Sequence, residues 1–461
     1  MSSPFMTPLE RRAAFSLAGI FSLRMLGLFM ILPVFALYAE QLRGVTPLQV
    51  GLAIGIYGLT QALLQIPFGM LSDRIGRKPV IAGGLLLFAL GSLVAALATT
   101  IEGVILGRAL QGAGAIAAAI MALTADLTKE EHRSKAMAVI GLSIGLSFMV
   151  AMAAGPLLNQ WVGVPGIFAL TAVLALLGVV VLYTLVPTPT RSVFHRDAEV
   201  EPAQFRQVLR DPQLLRLDGG IMVLHLALTA SFVVLPLVLV QSGFEADEHW
   251  RLYLPVMLLG MALIIPFIII AEKKRRMKAV FSGAVALLLL AQLGLIWGQD
   301  NFWAIALMLQ LFFLAFNLLE ATLPSLVSKI APPQSKGTAM GVYTSSQFIG
   351  AFIGGAAGGW VHGQFGTEAV FAFSALLIAL WWLAAVTMRE PPYLTTEMFS
   401  VEVADELAAK LMEEELRGLR GVAEVSVNVD DGVAYLKVDR QMLDTEALKQ
   451  FQQAVPEPVS Q

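Results

Sequence analysis

The chain has 461 residues, of which 57% are hydrophobic and 14% are charged, and its mean hydropathy is +0.74. Soluble proteins usually carry about 25% charged residues, so this composition is typical of a protein dissolved mostly in lipid. The small net charge of −3 argues against a nucleic-acid partner, and the lack of cysteine excludes disulfides, thiol catalysis and thiolate metal sites.

The sequence contains twelve apolar segments long enough to cross a membrane, which requires about 20 mostly apolar residues. A short polar stretch, Met1–Arg12, precedes the first segment. That segment is too long for a signal peptide and lacks a small-residue cleavage site, so we predict a retained helix. The predicted spans are 14–39, 47–72, 78–99, 101–125, 136–160, 164–186, 215–241, 250–272, 278–298, 301–328, 337–361 and 366–388.

Polar sequence separates the sixth span from the seventh. Residues 187–216 are rich in Pro, Arg, Asp and Glu, and we predict a linker with a short surface helix over Gln204–Leu209. The apolar pattern ends near Arg389. We therefore predict an N-terminal six-helix half (1–186), the linker, a C-terminal six-helix half (217–390) and a further domain (393–461).

Lysine and arginine are concentrated in alternate loops, and the loops between them are mainly acidic. The positive-inside rule therefore places both termini and the linker in the cytoplasm, in agreement with an even number of spans. We expect a multi-pass protein of the cell inner membrane. The basic loops contain Arg11, Arg12, Arg74, Arg77, Lys78, Lys129, Arg133, Lys135, the arginines from Arg191 to Arg216, Lys273, Lys274, Arg275, Arg276, Lys278, Lys329, Lys336 and Arg389.

The two predicted halves contain a similar sequence. HRSKAMAVIG around His132 and QSKGTAMGVY around Gln334 each open a glycine-rich span on the same side of the membrane. Two six-helix halves in parallel repeat are typical of transporters, with a substrate site near the midplane. The alternative is chance similarity between two glycine-rich helices.

A charged segment, Gly69–Val80, interrupts the apolar sequence between the second and third spans. It contains two glycines and four ionic residues. Such a segment is either a plain hairpin between membrane helices or a moving part of a transporter. Gly69 and Gly76 would let neighbouring backbones approach closely, as small residues do between membrane helices.

Three motifs resemble the major facilitator superfamily. Gly69–Lys78 resembles its signature loop and differs only at Ser72, where alanine is usual. Leu106–Gly112 resembles its arginine-bearing motif in the fourth span. Ala154–Pro156 resembles the Gly-Pro motif of the drug:proton antiporter branch, although Leu157–Asn159 interrupt the longer glycine pattern.

The resemblance implies an all-α membrane protein of twelve helices in two halves, with the charged segment acting as a conformational latch in an outward-facing state. Asp73 would then lie at the start of the eleventh span, near Ser335–Gly337, where the helix dipole favours a carboxylate. Arg77 would pair with Asp126. Arg74 and Lys78 would meet anionic lipid. The alternative is a positive-inside anchor without a moving role. The predicted latch residues are Gly69, Asp73, Arg74, Gly76, Arg77 and Asp126.

Four ionisable residues lie deep within predicted spans, where such residues are costly. They are the candidate proton-coupling residues: Arg24, Arg108, His225 and Glu320. Glu320, the carboxylate deepest in a span, is the candidate proton carrier; the alternative is a permanent salt bridge to Arg24. His225 is a candidate relay, or a hydrogen-bonding residue. Arg108 lies in the motif that the resemblance ties to proton coupling. The alternative is that Arg108 only forms hydrogen bonds between helices.

The substrate cavity is expected to be apolar and aromatic, with few polar groups to orient a ligand. The alternative for any single aromatic residue is helix packing or contact with lipid. The candidate lining residues are Met25, Phe29, Tyr57, Gln61, Gln65, Phe232, Phe316, Asn317 and Gln347.

The C-terminal segment is predicted as β-α-β-β-α. The elements are a strand over Met398–Val403, a helix over Asp405–Leu419, strands over Val422–Val429 and Val433–Val438, and a helix over Thr445–Gln453. Asp430-Asp431-Gly432 is a hairpin turn signal. The pattern resembles a ferredoxin-like domain of the heavy-metal-associated type, but the metal-binding cysteines are absent, so we expect no metal. The domain is a regulatory, self-associating or partner-docking module, or a passive solubilising appendage.

The leading hypothesis is proton-driven export of small amphipathic compounds by alternating access, with no cofactor and the proton gradient as energy source. The expected partners are the substrate, protons and membrane lipid. The alternatives are proton-coupled import of a solute and a sensor that signals through its C-terminal domain. An enzyme is disfavoured because no nucleophile–base pair or metal cluster is apparent. A channel is disfavoured because two glycine-rich halves favour rocking over a fixed pore.

Overall fold

The computed structural model describes residues 6–42, 44–189, 199–332, 335–391, 393–401, 403–429, 432–444, 446–448 and 451. Within these ranges it is a helical bundle followed by a small three-stranded sheet. The helices are α1 (Pro8–Phe29), α2 (Leu32–Ala39), α3 (Pro47–Ile75), α4 (Arg77–Leu97), α5 (Ile101–Ala113), α6 (Ala117–Asp126), α7 (Glu130–Thr184), α8 (Phe205–Val208), α9 (Pro212–Gln241), α10 (His249–Lys273), α11 (Met277–Trp297), α12 (Phe302–Ile330), α13 (Lys336–Phe365), α14 (Thr367–Val386) and α15 (Glu406–Arg417).

Ten helical segments of the described chain are long and apolar enough to cross a membrane. Two of them, Pro8–Ala39 and Ile101–Asp126, each contain a pair of helices separated by a short break. The first break precedes Pro33, which lacks the amide hydrogen that a continuous helix requires. The thirty-residue, glycine-rich α13 is not among the ten.

Helix α7 contains two predicted spans and folds back on itself at Gly163, whose φ of 65° is in the left-handed region. Before this point the chain runs parallel to α1, since His132 contacts Glu10 and Ser143 donates to Ala18. After it the direction reverses, since Thr171 lies against Gly27 and Thr184 accepts from Arg12 near the start of α1. Glycine is suited to this turn because it has no Cβ.

Helices α3 and α13 pack against each other along their lengths, and we call this contact the glycine seam. A Cβ on Gly55 would lie 2.8 Å from the carbonyl oxygen of Phe352, and one on Gly51 would collide with the carbonyl of Gly355. Near the far end, Gln65 donates a 2.8 Å hydrogen bond to Ser345. The two halves therefore meet at both ends of the bundle.

Lysine and arginine mark one end of the bundle, which we call the basic end. The starts of α4, α7 and α13 and the ends of α3, α10 and α12 lie there. The linker also returns to the basic end, with a 3₁₀ turn over Pro202–Gln204 before α8. Helix α8 lies within the short helix predicted over Gln204–Leu209 and is one residue shorter at each end.

The C-terminal sheet consists of β1 (Thr395–Ser400), β2 (Val422–Asn428) and β3 (Val433–Val438) in the order β1-β3-β2, with both pairings antiparallel. Strand β1 begins three residues before the prediction and ends before Val401. The second predicted helix, Thr445–Gln453, and the turn residues Asp430 and Asp431 fall largely outside the described residues.

The sheet lies against the basic end of the bundle. Arg275, after α10, is 2.5 Å from Asp439, and its guanidinium lies 5.5 Å from the Tyr393 ring centroid. Lys437 Nζ donates to the carbonyl oxygen of Lys329, at the end of α12, over 2.9 Å. These contacts attach the C-terminal sheet to the ends of α10 and α12, and β1 also lies against α7 of the first half.

The hydrogen bond from Arg275 lowers the pKa of Asp439 below its ordinary value of 3.8. Because a lowered pKa favours the docked state only while the carboxylate is ionised, this contribution is present at neutral pH and is lost as the pH falls through the lowered value.

We predict that Arg275→Gln loosens the docked sheet at neutral pH. Hydrogen exchange of residues 395–438 should increase, because the Asp439 carboxylate loses its cation. Arg276→Gln is the matched control, since Arg276 is the exposed neighbouring cation. Equal exchange in both variants would show that the ion pair does not hold the sheet.

Candidate functional site

Arg77 lies among three carboxylates at the basic end of the bundle, and its side chain is 2% exposed. Its Nε is 3.3 Å from Asp126 Oδ2, and its Nη2 is 2.8 Å from Glu199 Oε1. Its Nη1 donates to Asp73 and to the hydroxyl of Ser72. The five donors of a guanidinium suit such a convergence. The contact with Asp126 is the one that the sequence predicts, and Glu199 is a partner that it misses.

Linker residues Glu199–Glu201 lie between the two halves. Glu199 is bound to Arg77 on α4, whereas the Glu201 amide donates to Thr338 Oγ1 on α13 over 2.9 Å. Between them, Val200 packs on α13, where a Cβ on Gly341 would lie 2.6 Å from its Cγ2. The linker therefore joins the charged segment to the other half of the bundle.

The contact predicted between Asp73 and the start of α13 is not formed among the described residues. The Asp73 carboxylate pairs with Arg77 one turn away, and the side chain is 31% exposed. Val200, Asp73 and Arg77 line one small pocket. Linker residues, and not Asp73, therefore contact the first turns of α13.

The other predicted latch residues have separate positions. Gly69 faces α6, where its Cβ would lie 2.9 Å from Ala118 Cβ. Gly76 has a φ of 96° and joins α3 to α4. Arg74 is exposed. Gly69 thus lies close to a neighbouring helix, whereas Gly76 forms a tight turn and not the close approach expected of both glycines.

Arg24 and Arg108 lie on either side of Tyr57 within the first half. Their Cζ atoms are 5.7 Å and 5.3 Å from the Tyr57 ring centroid. Arg24 Nη2 donates to Gln61 Oε1 over 2.6 Å. Arg108 is held by the carbonyl oxygens of Ala53 and Ile54 and by the Gln111 side chain. The salt bridge between Arg24 and Glu320, which was the alternative to a proton-carrier role for Glu320, is not formed.

Glu320 and His225 lie together in the other half. His225 Nε2 is 3.4 Å from Glu320 Oε1 and 2.8 Å from Gln347 Nε2. Glu320 is partly exposed, but its Oε1 is buried and has no hydrogen-bond partner among the described residues. The predicted carrier and relay are therefore neighbours.

Asp218 and Tyr343 are two further buried polar groups on the helices that carry His225 and Gln347, and sequence reasoning misses both. Asp218 is 5% exposed and its Oδ2 has no hydrogen-bond partner in the described chain. Tyr343, one turn before Gln347 on α13, is 3% exposed, and its hydroxyl has no hydrogen-bond partner among the described residues. The available signal is spacing: Asp218 precedes His225 by seven residues, which places both on one face of α9.

An aromatic cluster lies between the two halves. Phe148 of α7 has its ring centroid 4.9 Å from that of Phe29 and 5.6 Å from that of Phe316. Phe313 links it to Phe232, with centroids 6.3 Å apart. Phe148 and Phe313 are additions to the predicted cavity wall.

Most candidate cavity residues are buried between helices. Met25, Tyr57, Gln61 and Gln65 are at most 4% exposed. Asn317 faces α10, where a Cβ on Gly260 would lie 3.4 Å from its Nδ2. The described residues contain no group of three or more His, Asp or Glu side chains suited to a metal ion.

The matched family model, the Major Facilitator Superfamily, covers residues 17–355 and 275–402. The chain belongs to this superfamily. It is 48% identical over 446 residues to the inner membrane transport protein YajR of Escherichia coli strain K12, covering 96% of this chain and 98% of YajR. These proteins are transporters, not enzymes.

Two further comparisons are more distant. The multidrug resistance protein MdtH of Aeromonas hydrophila is 27% identical over 353 residues, covering 73% of this chain and 84% of MdtH. The crystal structure of a bacterial homolog of the human lysosomal transporter Spinster has a TM-score of 0.71 at 13% identity. It covers 83% of this chain and 98% of that one. This structural likeness shows the fold alone.

We predict that Arg77→Gln lowers the thermal stability of this superfamily member strongly. Removing the cation from a buried group of carboxylates costs roughly 3–5 kcal/mol. Thermal unfolding followed by tryptophan fluorescence measures the effect. Arg74→Gln, an exposed arginine in the same segment, is the control, and an equal loss in both variants would argue against Arg77 as the centre of the group.

Proposed function

We propose that the protein is a proton-coupled exporter of small amphipathic compounds in the cell inner membrane, with both termini in the cytoplasm. The observation that carries this proposal is the pair formed by Glu320 and His225, two proton-binding groups 3.4 Å apart within the bundle. Ionisable residues in membrane segments mark proton or substrate pathways by default.

The position of this pair supports coupling between proton and substrate. His225 lies against Phe316, with ring centroids 5.7 Å apart, and Phe316 belongs to the aromatic cluster between the halves. A compound that displaced these rings would therefore contact the proton-binding groups. The apolar composition of the cluster fits amphipathic compounds, and MdtH is named a multidrug resistance protein.

Alternating access requires two halves that can separate at one end at a time. We assign twelve spans. The ten apolar helical segments give eleven spans because α7 folds back at Gly163 and counts as two, and α13 is the twelfth. The glycine seam would be the axis of the motion. The contacts of Arg77 and of the linker would then break when the halves separate at the basic end. We place this end in the cytoplasm by the positive-inside rule.

We assign a modulatory role to the C-terminal domain, in a ferredoxin-like arrangement. Its docking to α10 and α12 through Arg275 and Lys329 supports this role, since both helices belong to the half that contains Glu320. Deletion of residues 393–461 would then leave basal transport intact.

Glu320→Gln should abolish proton-coupled transport while leaving binding in place, because the amide cannot carry a proton. The measurement is pH-gradient-driven movement of cationic, neutral and anionic amphipathic dyes in proteoliposomes, with proton release followed by a trapped pH indicator. Glu368→Gln, at an exposed carboxylate of α14, is the control. Proton-coupled flux at the unmodified rate in Glu320→Gln would remove Glu320 as carrier.

A further inference from the structure

Three neighbouring donor nitrogens in the first half have no acceptor among the described residues. They are Arg24 Nε, Arg24 Nη1 and Gln61 Nε2. Both side chains are fully buried. Arg24 uses only Nη2, which donates to Gln61 Oε1 over 2.6 Å and to the carbonyl oxygen of Gly114 over 3.1 Å. Since this bond orients the Gln61 amide, all the unmatched atoms are donors.

The charge of this cluster is also uncompensated. In the described chain no carboxylate lies within the 4.0 Å ion-pair distance of Arg24 or Arg108. Arg108 is satisfied by backbone carbonyls of α3, but carbonyls do not neutralise its charge. Uncompensated buried charge is costly in a protein, and more so in a membrane. The site therefore lacks one acceptor-rich, negatively charged group.

The cluster adjoins the glycine seam. The Tyr57 ring, which lies between the two arginines, is 6.0 Å from the ring of Phe348 on α13. Movement of α3 away from α13 would therefore open the cluster to the space between the halves. Phe88, whose ring centroid is 5.3 Å from Arg24 Cζ, forms an apolar wall beside the charge.

We propose that Arg24 and Gln61 bind the anionic group of the transported compound, a carboxylate or a sulfonate. Such a group can accept one charge-assisted hydrogen bond from an unpaired nitrogen of Arg24 and another from the Gln61 amide. Arg108 adds positive charge on the other side of Tyr57. The apolar part of the compound lies against the neighbouring rings of Phe88 and Phe348. That the bound anion is transported rests on the proposed function, whereas the binding does not.

The test compares naphthalenesulfonate with its neutral analogue naphthalenesulfonamide. Each is added to the full-length protein in neutral detergent, and ligand affinity is obtained from the shift in thermal unfolding. Only the sulfonate should stabilise the protein. Arg24→Gln should weaken sulfonate binding roughly tenfold or more, the loss expected from one charged hydrogen bond. Arg11→Gln, at an exposed arginine, should not change it.

A second variant keeps the proposal testable if Arg24→Gln does not fold. Gln61→Glu places a carboxylate beside Arg24 with the same side-chain length. It should raise the unfolding temperature without ligand and remove the response to sulfonate. Equal stabilisation by sulfonate and sulfonamide, or an unchanged sulfonate response in Gln61→Glu, would overturn the anion site.

Dye flux in proteoliposomes separates this proposal from the proposed function. Selective sulfonate binding without proton-driven flux of any dye would contradict the exporter and leave the anion site standing. Proton-driven flux confined to cationic dyes, with no sulfonate binding, would contradict the anion site alone.

Discussion

The two halves of the bundle meet through backbone contact between α3 and α13, and the rest of the arrangement depends on it. Gly51 and Gly55 of α3 face the backbone of Phe352 and Gly355 on α13 so closely that a methyl group would not fit. Such contact provides van der Waals attraction with few interlocking side chains. The polar groups at the ends of the seam can therefore determine whether the halves stay together.

The interior charges are divided between the halves by sign. The first half contains Arg24 and Arg108, whereas the second contains Glu320 and Asp218, and the described residues form no ion pair between these groups. Under the two proposals above, the first half would bind an anion and the second half would bind a proton. The aromatic rings around Phe148 lie between them.

The sequence predicts the elements well because membrane spans have a strong apolar signal, and Pro, Gly and charged residues mark their ends. The contact of Arg77 with Asp126 follows from the motif. The motif also misleads, because Asp73 pairs with Arg77 while Val200 of the linker packs on α13. That arrangement depends on how a polar linker folds back, and the linker sequence carries no periodic signal for it. Asp218 is missed because it lies near the start of an apolar run.

The most direct test of this account is a pair of distance measurements by double electron–electron resonance. Because the chain has no cysteine, labels can be placed at exposed positions without further changes: Phe15 and Leu215 at the basic end, and Leu97 and Trp303 at the opposite end. Alternating opening about the glycine seam predicts that pH and ligand lengthen one distance while the other stays short, and that the two never lengthen together. Distances that stay fixed under all conditions, or that increase together, would contradict alternating opening about the glycine seam.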